Sequence, residues 1–357
     1  MIYSIRKRIT RKQRFSVRST KVEFPAFNSS VHLKRFTEDK SMKRITALIL
    51  AVLLLSLPVV SCTEQTVYQK EENTGRDKDS YPYIIRMPSA VWYLAKADIE
   101  LLGEDAYYEG LYAVLDDAEA DFADARAALE GYIPEEIPPL DIYTDFCNKA
   151  ELSKTFGAYY RSQFNYLKLF NGWDNAGVLL LHEYVHYLTM HCAETPVQFA
   201  FWGEGVAEYI ALHICKNRLA RSVYRRMNFT AASPETLEQV WDKTENCLDP
   251  RRVCIADAAC ITRGYAIGKT YLATKNELIE RTAEIQNDPN PEDLTYEEAS
   301  GMIAYLMETY GRDTVFGNWN LDPDRMDTVF GKTYSEIYRE WAAWNEEQCK
   351  LLGIVIP

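Results

Sequence analysis

The sequence GVLLLHEYVHYLTMH, residues 177–191, decides how the rest of the chain is read. Leu181, Val185 and Leu188 recur at i, i+4 and i+7, the spacing of one apolar stripe on an α-helix. His182 and His186 are four residues apart, so on that helix they stand one above the other on a second face. Glu183 borders the same face. The spacing therefore predicts a helix with a dry side that anchors it and a wet side that offers two imidazole nitrogens to one metal ion. Histidines at this interval also occur as ordinary packing or surface residues, so the pair alone does not establish a metal site.

Eighteen residues after His186 comes Glu204, within WGEGVAEY, residues 202–209. HEYVH has the HExxH form of zinc hydrolases, and HEYVH followed by WGEGVAEY resembles the gluzincin metallopeptidases. The resemblance is specific in these two motifs and loose over the rest of residues 140–350. It implies that His182, His186 and Glu204 are the ligands of a Zn2+ ion and that Glu183 is the general base. The chemistry agrees. Three protein ligands leave the fourth position of a tetrahedral site to water, whose pKa zinc lowers to about 7. A carboxylate beside the ligands can take that water's proton and pass it to a leaving amine. Glu208, one turn beyond Glu204, is placed to hold the free N–H of a ligating histidine; a solvated helix glutamate is its plainer reading.

Other branches of zinc peptidases fit less well. The metzincin form HExxHxxGxxH fails, because Thr189 stands at the glycine and Cys192 at the last histidine. His191 is one position short and reads as a helix-end residue, and His213 reads as a packing residue. No GxMEN-like stretch precedes the pentad, and the interval from His186 to Glu204 is one residue shorter than in the aminopeptidase branch. The oxyanion-stabilising tyrosine that heads a YxxG helix in that branch has two counterparts. Tyr296 fits the longer pattern and is favoured; Tyr265, the alternative, keeps the glycine.

Around these motifs the periodicity alternates between helix and strand. Ala106–Leu129 has helical spacing, Pro134–Pro139 breaks it, and Leu140–Tyr143 alternates like a strand. Gly157–Tyr160 and Phe164–Phe170 read as two further strands, the second followed by the turn signal Asn171-Gly172. Residues 220–263 read as an irregular insertion. Helical spacing returns at Tyr265 to about Arg281 and at Tyr296–Tyr310, with Asp313–Gly331 loop-rich and Tyr334–Cys349 a closing amphipathic helix. The expected fold class is α+β and zincin-like. A mixed sheet and the active-site helix would form the N-terminal half of a metallopeptidase domain, residues 81–357, and the C-terminal half would be mostly helical. The resemblance further implies that the last strand before the helix lines the cleft and pairs with extended substrate.

The N-terminus carries its own message. Residues 1–41 hold 11 Lys/Arg against 3 Asp/Glu without periodicity. Met42-Lys43-Arg44 then opens a largely apolar run of 16 residues, Ile45–Val60, ahead of Ser61-Cys62. A basic start, a short apolar core and a small residue at the cut form an export signal; the run is shorter than the roughly 20 residues that span a bilayer. Val59-Val60-Ser61-Cys62 resembles a bacterial lipobox, which implies lipid on Cys62. Residues 1–41 are accordingly expected to be a non-native upstream extension, 42–61 a lipoprotein signal peptide and 62–80 a polar tether. The competing reading is a basic cytosolic tail ahead of a membrane anchor. The expected location is extracytoplasmic, anchored by lipid to a bacterial membrane.

Composition narrows the partners. A hydrophobic content of 47% suits a globular chain with ample core. Without residues 1–41 the balance is 29 basic (40−11) against 49 acidic (52−3), a net of −20, which argues against nucleic acid as a partner. A peptide or protein substrate and, through Cys62, a membrane are the expected partners; oligomeric state and cleavage specificity are not legible. The seven other cysteines form no CxxC pair; Cys247, Cys254 and Cys260 are near enough in sequence to pair locally, with connectivity open. Two readings compete with an enzyme. One is a catalytically silent, zincin-fold binding lipoprotein, and the other is a purely structural zinc, which needs a fourth protein ligand.

Overall fold

Alternation builds the sheet that opens the domain. In β3 (Ala90–Leu94) residues Ala90, Trp92 and Leu94 are buried, in β4 (Leu140–Thr144) Leu140, Ile142 and Thr144, and in β6 (Tyr166–Leu169) Leu167 and Leu169. Every second side chain thus turns toward one layer of helices. With β1 (Lys70–Glu72), β2 (Tyr83–Arg86) and β5 (Ala158–Arg161) the strands run in the order β1-β2-β3-β4-β6-β5. The β3–β4 and β4–β6 pairs are parallel and the rest antiparallel. The fold is therefore mixed α/β around a mixed sheet. This computed structural model describes residues 68–75, 77–147, 158–170, 172–173, 176–192, 199–214, 234–244 and 247–356, all within one unit, 66–357. The extension at 1–41, the signal at 42–61 and Cys62 lie outside the described residues. Among the described residues no helix is long and apolar enough to cross a membrane.

Helices α1 (Lys96–Leu102) and α2 (Glu104–Ala128) carry the chain from β3 to its parallel neighbour β4, the long crossover that parallel pairing requires. Tyr107, Leu111, Val114, Ala118, Phe122 and Ala125 recur every three or four residues and are buried. Helix α3 (Ala176–Met190) sets Leu181, Val185 and Leu188 into the same core, as the stripe predicts, and Tyr184 stacks on Phe122 with ring centroids 3.8 Å apart.

The C-terminal half adds α4 (Ala200–Tyr209), continued by a π-helical turn at Ile210–Ile214, a short pair β7 (Trp241–Asp242) and β8 (Cys247–Leu248), α5 (Pro250–Cys260), α6 (Tyr296–Tyr310) and α7 (Tyr334–Leu352). Thr295 and Thr333 close capping boxes with Glu298 and Glu336 at the starts of α6 and α7.

Several elements differ from the sequence expectation. The stretch expected to be helical from Tyr265 to about Arg281 is an antiparallel hairpin, β9 (Gly268–Leu272) and β10 (Glu277–Arg281). Gly264 (φ 94°) and Gly268 (φ 113°) end the preceding helix, Thr270 and Leu272 turn inward, and Asn276 (φ 56°) closes the turn in a left-handed conformation. Within the expected irregular insertion, α5 is a well-made helix. Asp249 caps it by accepting from the backbone N–H of Arg251 and Arg252, and Pro250 occupies its first turn. Cys254 and Cys260 on α5 are free thiols, as are Cys147, Cys192 and Cys349. The polar stretch read as a tether contributes β1, whose Lys70 faces Ile85 of β2, so the paired structure begins ahead of Tyr81. The stretch read as loop-rich, 313–331, overlaps three short helical turns, Arg312–Phe316, Pro323–Arg325 and Asp327–Phe330. Finally, the last strand before α3 is internal: β6 lies between β4 and β5, and β5 forms the free edge beside α3.

Candidate metal centre

Two helices supply the site. On α3, His182 is buried and His186 half-buried, one turn apart on a face adjoining the Leu181–Val185–Leu188 stripe. On α4, Glu204 and Glu208 are likewise one turn apart and point at α3. The approach is tightest at Gly205. A Cβ there would meet Ile303 Cγ1 at 3.0 Å and the Ala299 carbonyl oxygen at 3.1 Å, so a larger residue would require α4 or α6 to give by a few tenths of an ångström. The Trp202 indole N–H donates to the Leu321 carbonyl at 2.7 Å and fixes the start of α4.

The ligand atoms converge. His182 Nε2 lies 3.0 Å from His186 Nε2 and 3.1 Å from Glu204 Oε2, and His186 Nε2 lies 3.4 Å from the same oxygen. His182, His186 and Glu204 form the group whose donor atoms all lie within 4.8 Å of one another, suited to a metal ion. Behind them, Glu208 Oε2 accepts from His182 Nδ1–H at 2.9 Å. That bond selects the tautomer whose Nε2 lone pair faces the site.

Charge completes the picture. Burial disfavours the imidazolium of His182, but the carboxylates of Glu204 and Glu208 bonded to it outweigh burial and push its pKa up to about 10. Burial raises the Glu204 carboxyl, yet His186 and His182 beside it hold it well below the usual carboxylate range. A positive charge is what this cluster is built to receive.

Glu183, also on α3, lines the same cleft, and its Oε2 accepts from the Tyr160 backbone N–H at 2.8 Å. The cleft, about 420 Å³, is walled by Ala158–Ser162 of the β5 edge on one side, and by Asn276 and Tyr296 on the other. The Tyr296 ring lies 5.6 Å from that of His182, edge to face, and stacks on Tyr271 at 6.4 Å. Tyr265 does not line the cleft; it is exposed at the end of the π-helical turn after α5.

The remaining candidates stand apart from the ligands. His191 Nδ1 donates to the Tyr187 carbonyl at 2.8 Å, at the helix end. His213 packs on Tyr209, and burial together with Arg251 pushes its pKa down to about 3, so it stays neutral. Thr189 donates to the His186 carbonyl at 3.1 Å and Cys192 to that of Leu188, so neither turns to the metal face. Sequence reasoning missed Tyr160, Arg161, Ser162 and Asn276 as cleft residues. Asn276 had a signal, since an asparagine between two β-prone runs marks a left-handed turn. No family model matches this chain, and a search of curated proteins finds none similar to it.

Proposed function

We propose that this protein is a zinc-dependent peptidase of gluzincin type on a zincin-like fold, tethered outside the cytoplasm by lipid on Cys62. The observation that carries the reading is the convergence of His182 Nε2, His186 Nε2 and Glu204 Oε2, with Glu183 in the same cleft. Donors on a tetrahedral Zn2+ at 2.0–2.1 Å stand about 3.4 Å from each other; the observed separations of 3.0, 3.1 and 3.4 Å fit within a few tenths of an ångström. Two nitrogens and one carboxylate oxygen are a donor set zinc accepts, and three of them leave a position open.

A bound Zn2+ would polarise the scissile carbonyl and bring the pKa of water to about 7. The chain supplies the rest. Glu208 holds the His182 tautomer. Glu183 takes the proton released by the attacking water and delivers it to the leaving amine. Tyr296, across the cleft, is the residue assigned to the developing oxyanion. The β5 edge offers main-chain groups to an extended peptide.

The test is metal analysis combined with hydrolysis of a peptide library. The expected result is about one zinc per chain, activity lost to a chelator, and a fall of about 10²–10⁴-fold in kcat for Glu183→Gln with zinc retained. A zinc-loaded protein that cleaves nothing in the library would establish the silent binding reading instead. Detergent-phase partitioning of the native protein, lost on Cys62→Ser, checks the anchor.

A further inference from the structure

The cleft holds a charge that hydrolysis does not use. Among the described residues lining it, Arg161 is the one permanent cation. It stands at the end of β5, exposed, with its guanidinium carbon 5.6 Å from the Tyr159 ring centroid, which steers the side chain without neutralising it. Several cations elsewhere are paired with carboxylates, among them Lys168 with Asp145 at 2.7 Å, Lys275 with Asp293 at 2.7 Å and Arg263 with Glu346 at 2.8 Å. Arg161 has no carboxylate within ion-pair reach among the described residues.

Two neutral donors share the cleft with it. Ser162 follows Arg161, and Asn276 enters from the tip of the β9–β10 hairpin. Asn276 Oδ1 already accepts from the Tyr271 hydroxyl at 3.2 Å, which leaves its amide N–H groups to donate elsewhere. A guanidinium and a hydroxyl on one wall of the cleft, faced by an amide on the other, are donors that a substrate carboxylate can use. In a chain of net charge −12 the long-range field repels acidic peptides, so accepting one depends on a local cation of this kind.

We propose that Arg161 forms a subsite for a carboxylate of the substrate, and that the peptides cut carry an Asp or Glu side chain close to the scissile bond. The proposal rests on the peptidase reading for its substrate but not for its binding. Ser162 and Asn276 are positioning donors in it, and Arg161 is the residue that discriminates.

The experiment uses peptides matched except for Asp/Glu against Asn/Gln at each position around the cut, all with amidated C-termini. They are compared on the zinc-loaded wild type, Arg161→Gln and Arg161→Glu. Binding of the same peptides to Glu183→Gln and to Glu183→Gln/Arg161→Glu is followed by fluorescence anisotropy. The expected result is a preference of about tenfold or more in kcat/KM for the acidic peptide, close to one in Arg161→Gln and inverted toward the neutral peptide in Arg161→Glu. Acidic-peptide binding should weaken by a similar factor in the double variant. Equal cleavage of acidic and neutral peptides by the wild type overturns the subsite and leaves the peptidase intact. A preference that appears only with a free C-terminus also overturns it, because the carboxylate read is then the chain end. Acidic-peptide binding that depends on Arg161 without hydrolysis of any peptide upholds the subsite and sinks the peptidase. A thermal melt of each variant verifies the fold, which an exposed side chain leaves intact.

Discussion

Glu208 decides how His182 behaves with and without metal. Against the cost of burial, its carboxylate and that of Glu204 push the His182 pKa from 6.5 up to about 10, so without metal the ring is protonated at neutral pH. The sign comes from linkage. A pKa raised in the folded state stabilises the metal-free protein fully below about pH 6.5, and that contribution is lost as pH climbs toward about 10. Metal binding must expel the proton. Calorimetry at pH 7.5 in buffers of different ionisation enthalpy is therefore expected to show close to one proton released per metal bound; none released would contradict the geometry. Glu208→Gln removes the charge that holds Nδ1–H, and a loss of about 10–100-fold in zinc affinity is expected, read by competition with a chelating dye. At this scale the sequence was informative where chemistry sets the spacing. Two histidines one turn apart could be named from their spacing, and the glutamate on the next helix through the resemblance that its motif carries. Tyr160 and Arg161 could not, because a strand edge brings them to the cleft, and the turn signal of Asn276 does not say that its hairpin tip reaches the cleft from a segment far along the chain.

Among the elements, α4 shows what a glycine inside a helix is for. Gly205 costs about 1 kcal/mol of helix propensity relative to alanine, yet a side chain there would crowd the Ala299 carbonyl and Ile303. The contact is partly with backbone, so relief requires α4 to move. Gly205→Val is expected to destabilise the fold by about 1–3 kcal/mol and to lower zinc affinity, because Glu204 and Glu208 shift with the helix. Urea denaturation and zinc titration check the two effects; stability lost with affinity unchanged would show that α4 tilts without moving its carboxylates. The elements also mark where periodicity misleads. Helices α2, α3 and α7 were legible because each keeps an apolar stripe over many turns. Residues 265–281 carry helix-compatible residues such as Ala273, Lys275 and Glu277, and the hairpin wins through two left-handed glycines and the inward pull on Thr270, Leu272 and Arg281. Helix α5 was obscured for the opposite reason: it is buried almost all round and presents no polar face to set a period.

For the molecule as a whole, the hairpin, α6 and α7 meet at one fully buried carboxylate. Glu298 accepts from Arg281 Nη1 at 2.5 Å and Nη2 at 2.6 Å, from the Tyr338 hydroxyl at 2.8 Å and from the Thr295 backbone N–H at 3.0 Å. Both partners of the ion pair are completely buried. The two ions would not necessarily stabilise the fold better than an apolar pair of equal volume, but removing one strands the other. Glu298→Gln is expected to cost about 3–5 kcal/mol by urea denaturation. Arg281→Met combined with Glu298→Leu is expected to cost clearly less than the two single changes together, since no charge is then left unpaired. The consequence reaches the site. Thr295 and Glu298 form the capping box that starts α6, and Tyr296, the first residue of that helix, lines the cleft beside His182. The double variant keeps burial but loses the half of the capping box that the Glu298 carboxylate supplies to the Thr295 backbone N–H, so it should retain zinc and lose kcat. Unchanged kcat in a stable double variant would mean that Tyr296 is held by its stack on Tyr271, and not by the cap.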